Sequence, residues 1–491
     1  MSWIDISIFI CYLGAMLGVG VYFLRKNKNT DDYYVGGRRL SSLHIGLSVV
    51  ATDVGGGFSI SLGGLGFVMG ISGSWMLFTG LIGAWLSAVL LIPVVSDLAR
   101  KKGFLSFPQF LECMFDKRVA LIAGLISAIG YLGFSSSQIL AGAKLASATV
   151  DGLNTNTALL IMGIIAVVYT VIGGLKAVIY TDTIQWIVLM VGLFFVGLPF
   201  AYLKVGGYEV IRETVSDDFF SLTAISWQQL VNWGFAIIPI WFVGMTLYQR
   251  IYASKDTPTA KKAWFIAGLF EWPIMAFIGV VLGLLARVAF DIGMFNDMII
   301  NGEFVASIPV EHFDGEKGLP LLLKSVLPVG FLGIVLSAYF SAIMSTADSC
   351  LMASSGNLLT DVLKKHNHAN SLRYSQILTL LVGTVALLLA LTTTSVLDLM
   401  LYSYSFMVSG MLVPVLVTIF AKKTNSTAAL ISMILGGSST LLLTLLIHVY
   451  KDFTLPFLLD PILFGIIISV VSYIATDTLT RSQRVLIQDK L

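Results

Sequence analysis

An acid and three successive glycines interrupt an apolar stretch near the start of the chain, in the run Ala51-Thr52-Asp53-Val54-Gly55-Gly56-Gly57. At bilayer depth a charged side chain costs about 2.5 kcal/mol or more, so it persists mainly where it faces an ion, a partner or a water-filled cavity. Glycine favours a break in a helix, and a broken helix leaves backbone carbonyl oxygens free to bind a ligand. The run therefore predicts a cation site, with Asp53 on the path of the ion or coupled to its binding.

A second group of oxygen atoms lies far along the chain, in the run Ser341-Ala342-Ile343-Met344-Ser345-Thr346-Ala347-Asp348-Ser349. Ala342, Ser345, Thr346 and Ser349 recur at the spacing that places residues on one face of a helix. The hydroxyl oxygens of such a face can replace the water around a small cation. Close packing of helices, with hydroxyls bonded to their own backbone, explains the pattern equally well. The acid and the freed carbonyls of the first run favour the ion site.

Three more acids lie in or beside apolar stretches. Asp182 is expected in the first turn of a helix, where the helix dipole stabilises an acid as a cap. A role in releasing the ion is the alternative for Asp182. Glu271 lies in the middle of an apolar stretch, which leaves a structural hydrogen bond, the interpretation we favour, or a proton-coupling site. Asp348 lies among the hydroxyls of the second run and receives no separate role.

Two groups of aromatic and amide side chains are candidates for the wall of a substrate cavity. The first surrounds Pro239 and Gly244 and contains Trp241, Phe242 and Tyr248. The second contains Tyr131, Phe134 and Gln138. Aromatic residues at helical spacing more often face lipid or pack in the interior. The neighbouring helix breakers favour a cavity for the first group.

The composition indicates the class of protein to which these residues belong. Of the 491 residues, 57% are hydrophobic and 12% are charged, whereas soluble domains carry about 25% charged residues. The mean hydropathy is +0.89, which predicts an all-α integral membrane protein in a lipid bilayer. The three cysteines are isolated, and no basic run or cluster of metal ligands occurs. We therefore expect no nucleic-acid partner, no transition metal and no organic cofactor.

Apolar windows long enough to cross a bilayer predict about thirteen transmembrane helices. The windows lie at about 5–24, 43–70, 75–97, 119–148, 155–175, 180–203, 227–252, 263–290, 326–360, 372–393, 396–420, 427–449 and 457–478. Alternate loops hold the basic residues, which predicts an amino terminus outside the cell and a cytoplasmic carboxyl terminus. Those basic residues are Arg25, Lys26, Lys28, Arg38, Arg39, Arg100, Lys101, Lys102, Lys176, Arg250, Lys255, Lys261, Lys262, Lys364, Lys365, Arg373, Lys422, Lys423, Arg481 and Arg484.

The positions of the interrupted windows predict how the helices are organised. The second, seventh and ninth windows carry breaks, the ninth after Gly318-Leu319-Pro320 and Pro328, and the second and seventh windows lie five windows apart. Two five-helix repeats of inverted topology, each opening with a discontinuous helix, produce this spacing. We predict one transporter domain over residues 1–491. Its parts are a first span and loop (1–40), a first repeat (41–203), a second repeat (226–421), and two peripheral spans with a short tail (422–491).

Four motifs, in their order along the chain, resemble those of the sodium:solute symporter family. They are Asp31-Asp32-Tyr33-Tyr34-Val35-Gly36-Gly37-Arg38, the Asp53 run, Gly173-Gly174-Leu175-Lys176-Ala177-Val178-Ile179-Tyr180-Thr181-Asp182-Thr183-Ile184-Gln185 and Ser345-Thr346-Ala347-Asp348-Ser349. The resemblance covers nearly the whole chain. It implies a LeuT-like core with sodium bound between core helices one and eight.

The resemblance also implies roles for individual residues. The sodium ligands would be the backbone carbonyls of Ala51, Val54 and Ala342 and the hydroxyls of Ser345 and Thr346. The acid associated with sodium passage on the cytoplasmic side matches Asp182, and proline symporters of the family carry an acid at the place of Asp53. The residues on either side of Asp53, Tyr248-Gln249-Arg250 and Ser345-Thr346-Ala347-Asp348-Ser349 most resemble the high-affinity choline transporters, which have tryptophan at the place of Asp53. Without an aromatic face for a quaternary ammonium, an amino acid or a similar small zwitterion or amine is the expected solute.

The sequence thus predicts a sodium-coupled secondary active symporter that imports a small organic solute by alternating access. It would act as a monomer in the plasma (inner) membrane, and it would not be an enzyme. The first alternative is a proton-coupled transporter, in which Asp53 or Glu271 takes up the proton. The second alternative is a channel or a sensor built on a transporter core.

Overall fold

Apolar helices make up most of the chain, as the composition predicts. The computed structural model describes residues 2–26, 38–53, 55–173, 175–365, 370–450 and 453–487. The helices are α1 Trp3–Lys26, α2 Ser42–Asp53, α3 Gly55–Met69, α4 Trp75–Leu90, α5 Ile92–Lys102, α6 Phe107–Met114, α7 Lys117–Thr149, α8 Thr155–Gly173, α9 Leu175–Val191, α10 Leu198–Lys204, α11 Gly207–Thr214, α12 Trp227–Val243, α13 Met245–Ala253, α14 Thr257–Leu269, α15 Ala276–Asp291, α16 Gly318–Val326, α17 Phe331–Asn357, α18 Ser371–Ala390, α19 Val396–Phe420, α20 Ser426–Val449 and α21 Pro461–Leu479.

Short strands and single helical turns complete the described chain. Strand β1 (Ile299–Ile300) pairs with β2 (Glu303–Phe304), and β3 (Lys423–Thr424) pairs with β4 (Val485–Leu486), both antiparallel. Widened helical turns occur at Gly192–Gly197, Phe270–Met275 and Leu358–Val362.

Polar loop residues determine where several helices begin. The Asp116 carboxylate accepts a hydrogen bond from the backbone N–H of Val119 at 3.0 Å, at the start of α7. The Asp256 carboxylate accepts one from Thr259 at 2.8 Å, at the start of α14. Each acceptor satisfies a donor that the first turn of a helix leaves without a partner.

Fewer helices satisfy the criteria for crossing a membrane than the sequence predicts. In the described part of the chain, nine helical stretches are long and apolar enough, or ten if the bent pair α12–α13 is one span. The predicted count of about thirteen is not confirmed. The first and fifth windows correspond to shorter apolar helices, Trp3–Tyr12 and Thr155–Val168, and the second and third windows share one stretch, Gly57–Leu90.

Three places in the apolar helices are interrupted or are predicted to be interrupted, and we call them the first, second and third breaks. The first is the break that the sequence predicts beside Asp53: α2 is described to Asp53 and α3 from Gly55, and Val54 between them lies outside the described residues, so this break stays a prediction. The second lies at Gly244, where α12 and α13 bend by 42°. The third lies between α14 and α15, where Trp272 has the extended conformation φ −138°, ψ 127°. The sequence predicted the second break and the interruption before the ninth window, where α16 ends at Val326 and α17 begins at Phe331, and it missed the third.

The burial of the helices separates a core from a periphery. The apolar window in Phe331–Val362 is 89% buried, whereas that in Pro461–Leu479 is 22% buried. Helix α17 packs against α7, α9 and α1, and α19 packs against α7 and α20. Helices α20 and α21 pack mainly on each other and on α19. The predicted repeat boundaries stay predictions.

Candidate functional site

The first helix break and α17 meet through a hydroxyl group. The Thr346 hydroxyl lies 3.1 Å from the carbonyl oxygen of Ala51 and 3.1 Å from that of Ala342. Ala51 lies two residues before Asp53, the last residue described ahead of the predicted break. Three of the five predicted sodium ligands are therefore in contact across two helices.

The other two predicted sodium ligands are the hydroxyl of Ser345 and the carbonyl of Val54. The Ser345 hydroxyl donates a short hydrogen bond to the carboxylate of Asp182, next to Thr346 on α17. The carbonyl of Val54 lies outside the described residues. The structure thus links Asp182 to the predicted ligand set through one hydroxyl group.

The interpretation of Asp182 as a helix cap is wrong. The residue lies about two turns after the start of α9, and its side chain is fully buried. Its carboxylate accepts hydrogen bonds from the hydroxyls of Ser48, at 2.6 Å, and Ser345. The apolar window began at residue 180, whereas the residues from Leu175 on are helical, so the acid was placed in the first turn.

Arg250 joins these helices from the inside, and its assignment to a basic loop is wrong. Its side chain is fully buried on α13. The guanidinium donates to the hydroxyl of Thr52 at 2.6 Å and to that of Ser349 at 3.0 Å, and it lies 3.5 Å from the Asp182 carboxylate. We call Ser48, Thr52, Asp182, Arg250, Ser345 and Ser349 the Arg250 cluster. The sequence signal for this buried cluster was an arginine beside an apolar stretch.

Asp53 lies near a second acid rather than a cation. Its carboxylate accepts a hydrogen bond from the Tyr404 hydroxyl at 3.4 Å, and the carboxyl group of Glu271 faces it. Glu271 lies on the third helix break, so the two acids occupy two of the three interruptions. Within the described residues, the Asp53 carboxyl is the polar group that the Glu271 carboxyl faces, and the structural hydrogen bond expected of Glu271 stays a prediction.

One of the two predicted groups of cavity residues lies around this acid pair. The Phe134 ring packs on Tyr404 at 5.1 Å between centroids. The amide of Gln138 packs against Gly57, one turn after the first break. The Tyr131 hydroxyl lies 3.0 Å from the Thr246 hydroxyl, beside the second break. These contacts bring the first two breaks and α19 to one place.

The contacts of the other group are those of packing residues. The Trp241 ring lies 6.3 Å from that of Trp264 and against Gly83. The Tyr248 ring lies 4.5 Å from that of Phe107, and its hydroxyl donates to the carbonyl of Phe242 at 2.9 Å. The described contacts therefore do not bring Trp241 or Tyr248 to Asp53.

A second buried cation lies on the other side of the first break. The Lys144 ammonium, 3% exposed on α7, lies 2.7 Å from the Asp314 carboxylate and 2.6 Å from that of Glu316. Glu316 also accepts from the hydroxyl of Ser61 on α3 at 3.2 Å, and from the first backbone N–H groups of α19, those of Val396 and Leu397, at 3.0 Å each. We call Ser61, Lys144, Asp314 and Glu316 the Lys144 cluster. Lys144 was not predicted as a site residue, although a lysine inside a predicted span was a usable signal of a buried charge.

A cavity of about 710 Å³ borders the Lys144 cluster. Its lining includes Leu140, Lys144, Thr155, Lys317 and Thr394. Lys317 donates a hydrogen bond to the Thr155 hydroxyl at 3.0 Å. Burial lowers the pKa of Lys317, and the nearby charge of Lys144 adds to the effect while Asp314 opposes it.

Comparison with known proteins identifies the family. The sequence profile of the sodium:solute symporter family matches residues 33–436. The chain belongs to the sodium:solute symporter family. It is therefore a membrane-spanning transporter of the sodium-coupled symporter class rather than an enzyme.

The relatives of this symporter match it over most of its length. It is 26% identical to a sodium/glucose cotransporter of Vibrio parahaemolyticus, over 96% of this chain and 89% of the relative. It is 27% identical to the sodium/proline symporter of Escherichia coli (strain K12), over 87% of this chain and 85% of the relative.

A solved structure confirms the LeuT-like fold class of this symporter. The substrate-bound, outward-open structure of a Na+-coupled sialic acid symporter superposes with a TM-score of 0.77. The match covers 97% of this chain and 98% of the other, with 22% sequence identity. The predicted sodium coupling is confirmed by the family, whereas the ligand residues stay predictions.

Proposed function

We propose that this symporter binds sodium between the first helix break and α17. Its ligands would be the carbonyl oxygens of Ala51, Val54 and Ala342 and the hydroxyl oxygens of Ser345 and Thr346. The observation that carries this proposal is the Thr346 hydroxyl, within 3.1 Å of both the Ala51 and the Ala342 carbonyl oxygens. Small hard cations prefer oxygen ligands, and carbonyls at a broken helix are free to provide them.

The solute is an amino acid or a similar small zwitterion or amine. Asp53 supports this class because a buried carboxylate without a protein cation favours a positively charged group of a ligand. The relatives transport glucose or proline according to their names, and proline carries an amine. Tyr131, Phe134 and Gln138 would line the solute site, with Trp241, Phe242 and Tyr248 behind them.

Sodium drives the solute through the difference in free energy across the membrane. Each positive charge that moves inward gains about 2.3 kcal/mol per 100 mV of membrane potential. Sodium would hold α2 against α17 and favour the conformation that accepts the solute. By linkage, sodium and solute must then raise each other's affinity by the same factor. Asp182, bound to Ser345, would receive sodium on its way out.

The placement in the membrane follows from the charged loops. We place the symporter in the plasma (inner) membrane as a monomer, with the amino terminus outside and the carboxyl terminus in the cytoplasm. Removing Arg250 from the basic loops leaves Lys255, Lys261 and Lys262 in the same loop, so the asymmetry persists. The Lys144 cluster would then face the outside and the Arg250 cluster the cytoplasm.

Proton coupling is the second candidate, because the paired carboxyls of Asp53 and Glu271 resemble a proton-binding site. The two candidates are separated by uptake into proteoliposomes at fixed pH, with sodium replaced by lithium or choline. The solute for this assay comes from a thermal-shift screen of amino acids and amines, with and without sodium. Uptake that survives without sodium and follows a pH gradient would rule out sodium coupling.

Mutation of the hydroxyl ligands tests the sodium site itself. Ser345→Ala with Thr346→Ala should raise the half-saturating sodium concentration by about 10–100-fold, the usual cost of disturbing a metal site. Ser438→Ala and Thr384→Ala are matched controls, since both hydroxyls are exposed and bond only to their own helix. An unchanged sodium dependence in the double mutant would remove these residues from the site.

A further inference from the structure

The cavity beside the Lys144 cluster contains a second lysine that lacks a carboxylate partner. Lys317 lines this cavity and is only 4% exposed. Its ammonium group donates to the Thr155 hydroxyl at 3.0 Å, and none of the ion pairs in the described chain includes it. An ammonium group has three donors, so two donors of Lys317 are left for a ligand. A buried charge is costly unless it is paired and hydrogen-bonded.

Thr155, at the start of α8, fixes the position of this ammonium group. The Thr155 hydroxyl accepts from Lys317 and donates to the side-chain carbonyl of Asn301 at 2.9 Å. The same Asn301 oxygen accepts from the backbone N–H of Thr155 at 3.2 Å. Lys317 is therefore held beside the amino-terminal end of a helix, where the helix dipole also favours an anion.

The carboxylates at the cavity carry the opposite charge in excess. Asp314 and Glu316 share the single ammonium group of Lys144, which leaves one negative charge of the Lys144 cluster unbalanced. Both oxygens of Glu316 already accept, from Ser61, from Lys144 and from the backbone of α19. Asp314 accepts from Lys144 and from the N–H of Glu316 at 3.2 Å, and its side chain is 36% exposed. The excess negative charge is therefore most accessible at Asp314.

The cavity has the size and the access that a small solute requires. Its volume of about 710 Å³ lies within the range of about 300–1,000 Å³ that is typical of small-molecule sites. Asn301, His312 and Thr394 line the cavity and are exposed, so it opens at the surface. The charges of the two lysines and two carboxylates in its described lining sum to zero. A neutral cavity with one positive and one negative pole is complementary to a zwitterion.

We propose that this cavity is an outer binding site for a zwitterionic solute, whose carboxylate binds Lys317 and whose ammonium group binds Asp314. This inference rests on the proposed function, which places the cavity on the outside, and it narrows the solute class to zwitterions such as amino acids. An amine without a carboxylate leaves Lys317 unpaired, and a sugar leaves both poles unpaired. The solute binds here before it reaches the helix breaks.

The experiment measures binding to the full-length protein in lipid nanodiscs. Thermal unfolding is followed by tryptophan fluorescence, in sodium chloride or in potassium chloride. The zwitterionic probes are the protein amino acids and glycine betaine. Among the other probes, acetate lacks the ammonium group, alaninamide and ethanolamine lack the carboxylate, and glucose lacks both. We expect the largest stabilisation from a zwitterion in sodium chloride.

Lys317→Met tests the carboxylate end of the site. It should raise the half-saturating concentration of the most stabilising zwitterion by about tenfold or more, which corresponds to about 1.4 kcal/mol, while leaving that of sodium within about twofold. Lys317→Arg keeps the charge and should largely restore binding. Lys324→Met is the matched control, since Lys324 pairs with Asp151, which is 74% exposed, and does not line the cavity. It should leave zwitterion binding unchanged.

A second measurement locates the solute and replaces the first if Lys317→Met does not fold. Thr394→Cys places a thiol at the exposed edge of the cavity in a chain that keeps Lys317 and Asp314. Its reaction with a membrane-impermeant methanethiosulfonate is followed by mass spectrometry. The zwitterion that stabilises the protein should slow this reaction several-fold, and ethanolamine or acetate should not. Thr223→Cys, exposed on the loop before α12, should react at the same rate with and without the zwitterion.

The outcomes separate this inference from the proposed function. Sodium-dependent stabilisation by alaninamide, ethanolamine or glucose alone overturns the inference and leaves sodium symport standing. A zwitterion that binds equally well to Lys317→Met, or that leaves the reaction of Thr394→Cys unchanged, also overturns the inference alone. Stabilisation by acetate as large as that by the best zwitterion overturns it too, since a carboxylate would then be enough. Absence of any sodium-dependent response to any probe contradicts the proposed function itself.

Discussion

The two charged clusters lie on opposite sides of the same helix break, and they differ in what surrounds the charges. In the Arg250 cluster, both the guanidinium and the Asp182 carboxylate are fully buried. In the Lys144 cluster, the ammonium is 3% exposed, but Glu316 is 11% exposed and Asp314 is 36% exposed. The 710 Å³ cavity borders only the second of these two clusters.

This difference in solvent exposure indicates which of the two clusters can separate its charges at the lower cost in free energy. Water that reaches a separated ion pair solvates both charges. A buried charge that loses its partner has neither water nor another charge to stabilise it. Opening the Lys144 cluster exposes its charges to the adjoining cavity, so they remain solvated. We therefore expect the Arg250 cluster to act mainly as a structural junction and the Lys144 cluster to act as the more mobile of the two.

The largest effect should come from Arg250→Ala. The change leaves the Asp182 carboxylate buried without a counter-charge and removes donors to Thr52 and Ser349. We expect the free energy of unfolding to fall by about 3–5 kcal/mol, measured by denaturant titration in detergent micelles. Arg212→Ala is the control: its partner Asp217 is 84% exposed, and its loss should cost about 1 kcal/mol or less. Equal losses in the two variants would contradict the proposed junction.

Lys144→Met should lower the free energy of unfolding less than Arg250→Ala does. It should have a larger effect on how accessible the cavity is to reagents in solvent. Glu316 keeps Ser61 and the backbone of α19 as hydrogen-bond donors, so we expect a loss of about 1–3 kcal/mol. A cysteine at Leu140, which lines the cavity and is 2% exposed, should react several-fold faster with a membrane-impermeant thiol reagent. Lys324→Ala, whose partner Asp151 is 74% exposed, should leave that rate unchanged. An unchanged rate in Lys144→Met would mean that the cluster does not close the cavity.

The smallest effect should come from Ser349→Ala. Ser349 shares the face of α17 with the predicted sodium ligands, but its hydroxyl accepts from Arg250. Because Arg250 keeps Thr52 and Asp182 as partners, losing this one hydrogen bond should lower the free energy of unfolding by about 0.5–1.5 kcal/mol, without changing the half-saturating sodium concentration. Sodium-dependent uptake measures the second quantity. A weaker sodium affinity would show that the Arg250 cluster and the sodium site are not separate.

Local patterns predicted the parts of the site that lie close together in sequence. The helical spacing placed Ser345, Thr346 and Ser349 on one face of α17, where their hydroxyls contact Asp182, Ala51 and Arg250. This feature depends only on neighbouring residues, so the helical period was enough. The break predicted from the glycines after Asp53 stays a prediction.

Contacts between distant segments could not be predicted from the sequence. Tyr404 reaches Asp53 across 351 positions, and Arg250 reaches Thr52 across 198. The third break, at Trp272, lies in a stretch whose hydropathy is that of a continuous span. Arg250 lies inside the predicted window 227–252 and the lysines that follow it lie outside, but this pattern does not show which distant residues Arg250 contacts.

Helix α19 begins under Glu316 and carries Tyr404 eight residues later, about 12 Å along its axis at 1.5 Å per residue. A helix with its hydrogen bonds intact moves as a rigid rod. Any tilt of α19 that pulls its first turn away from Glu316 must also change the distance between Tyr404 and Asp53. A movement of α19 that breaks its contact with Glu316 beside the cavity therefore also changes the contact between Tyr404 and Asp53.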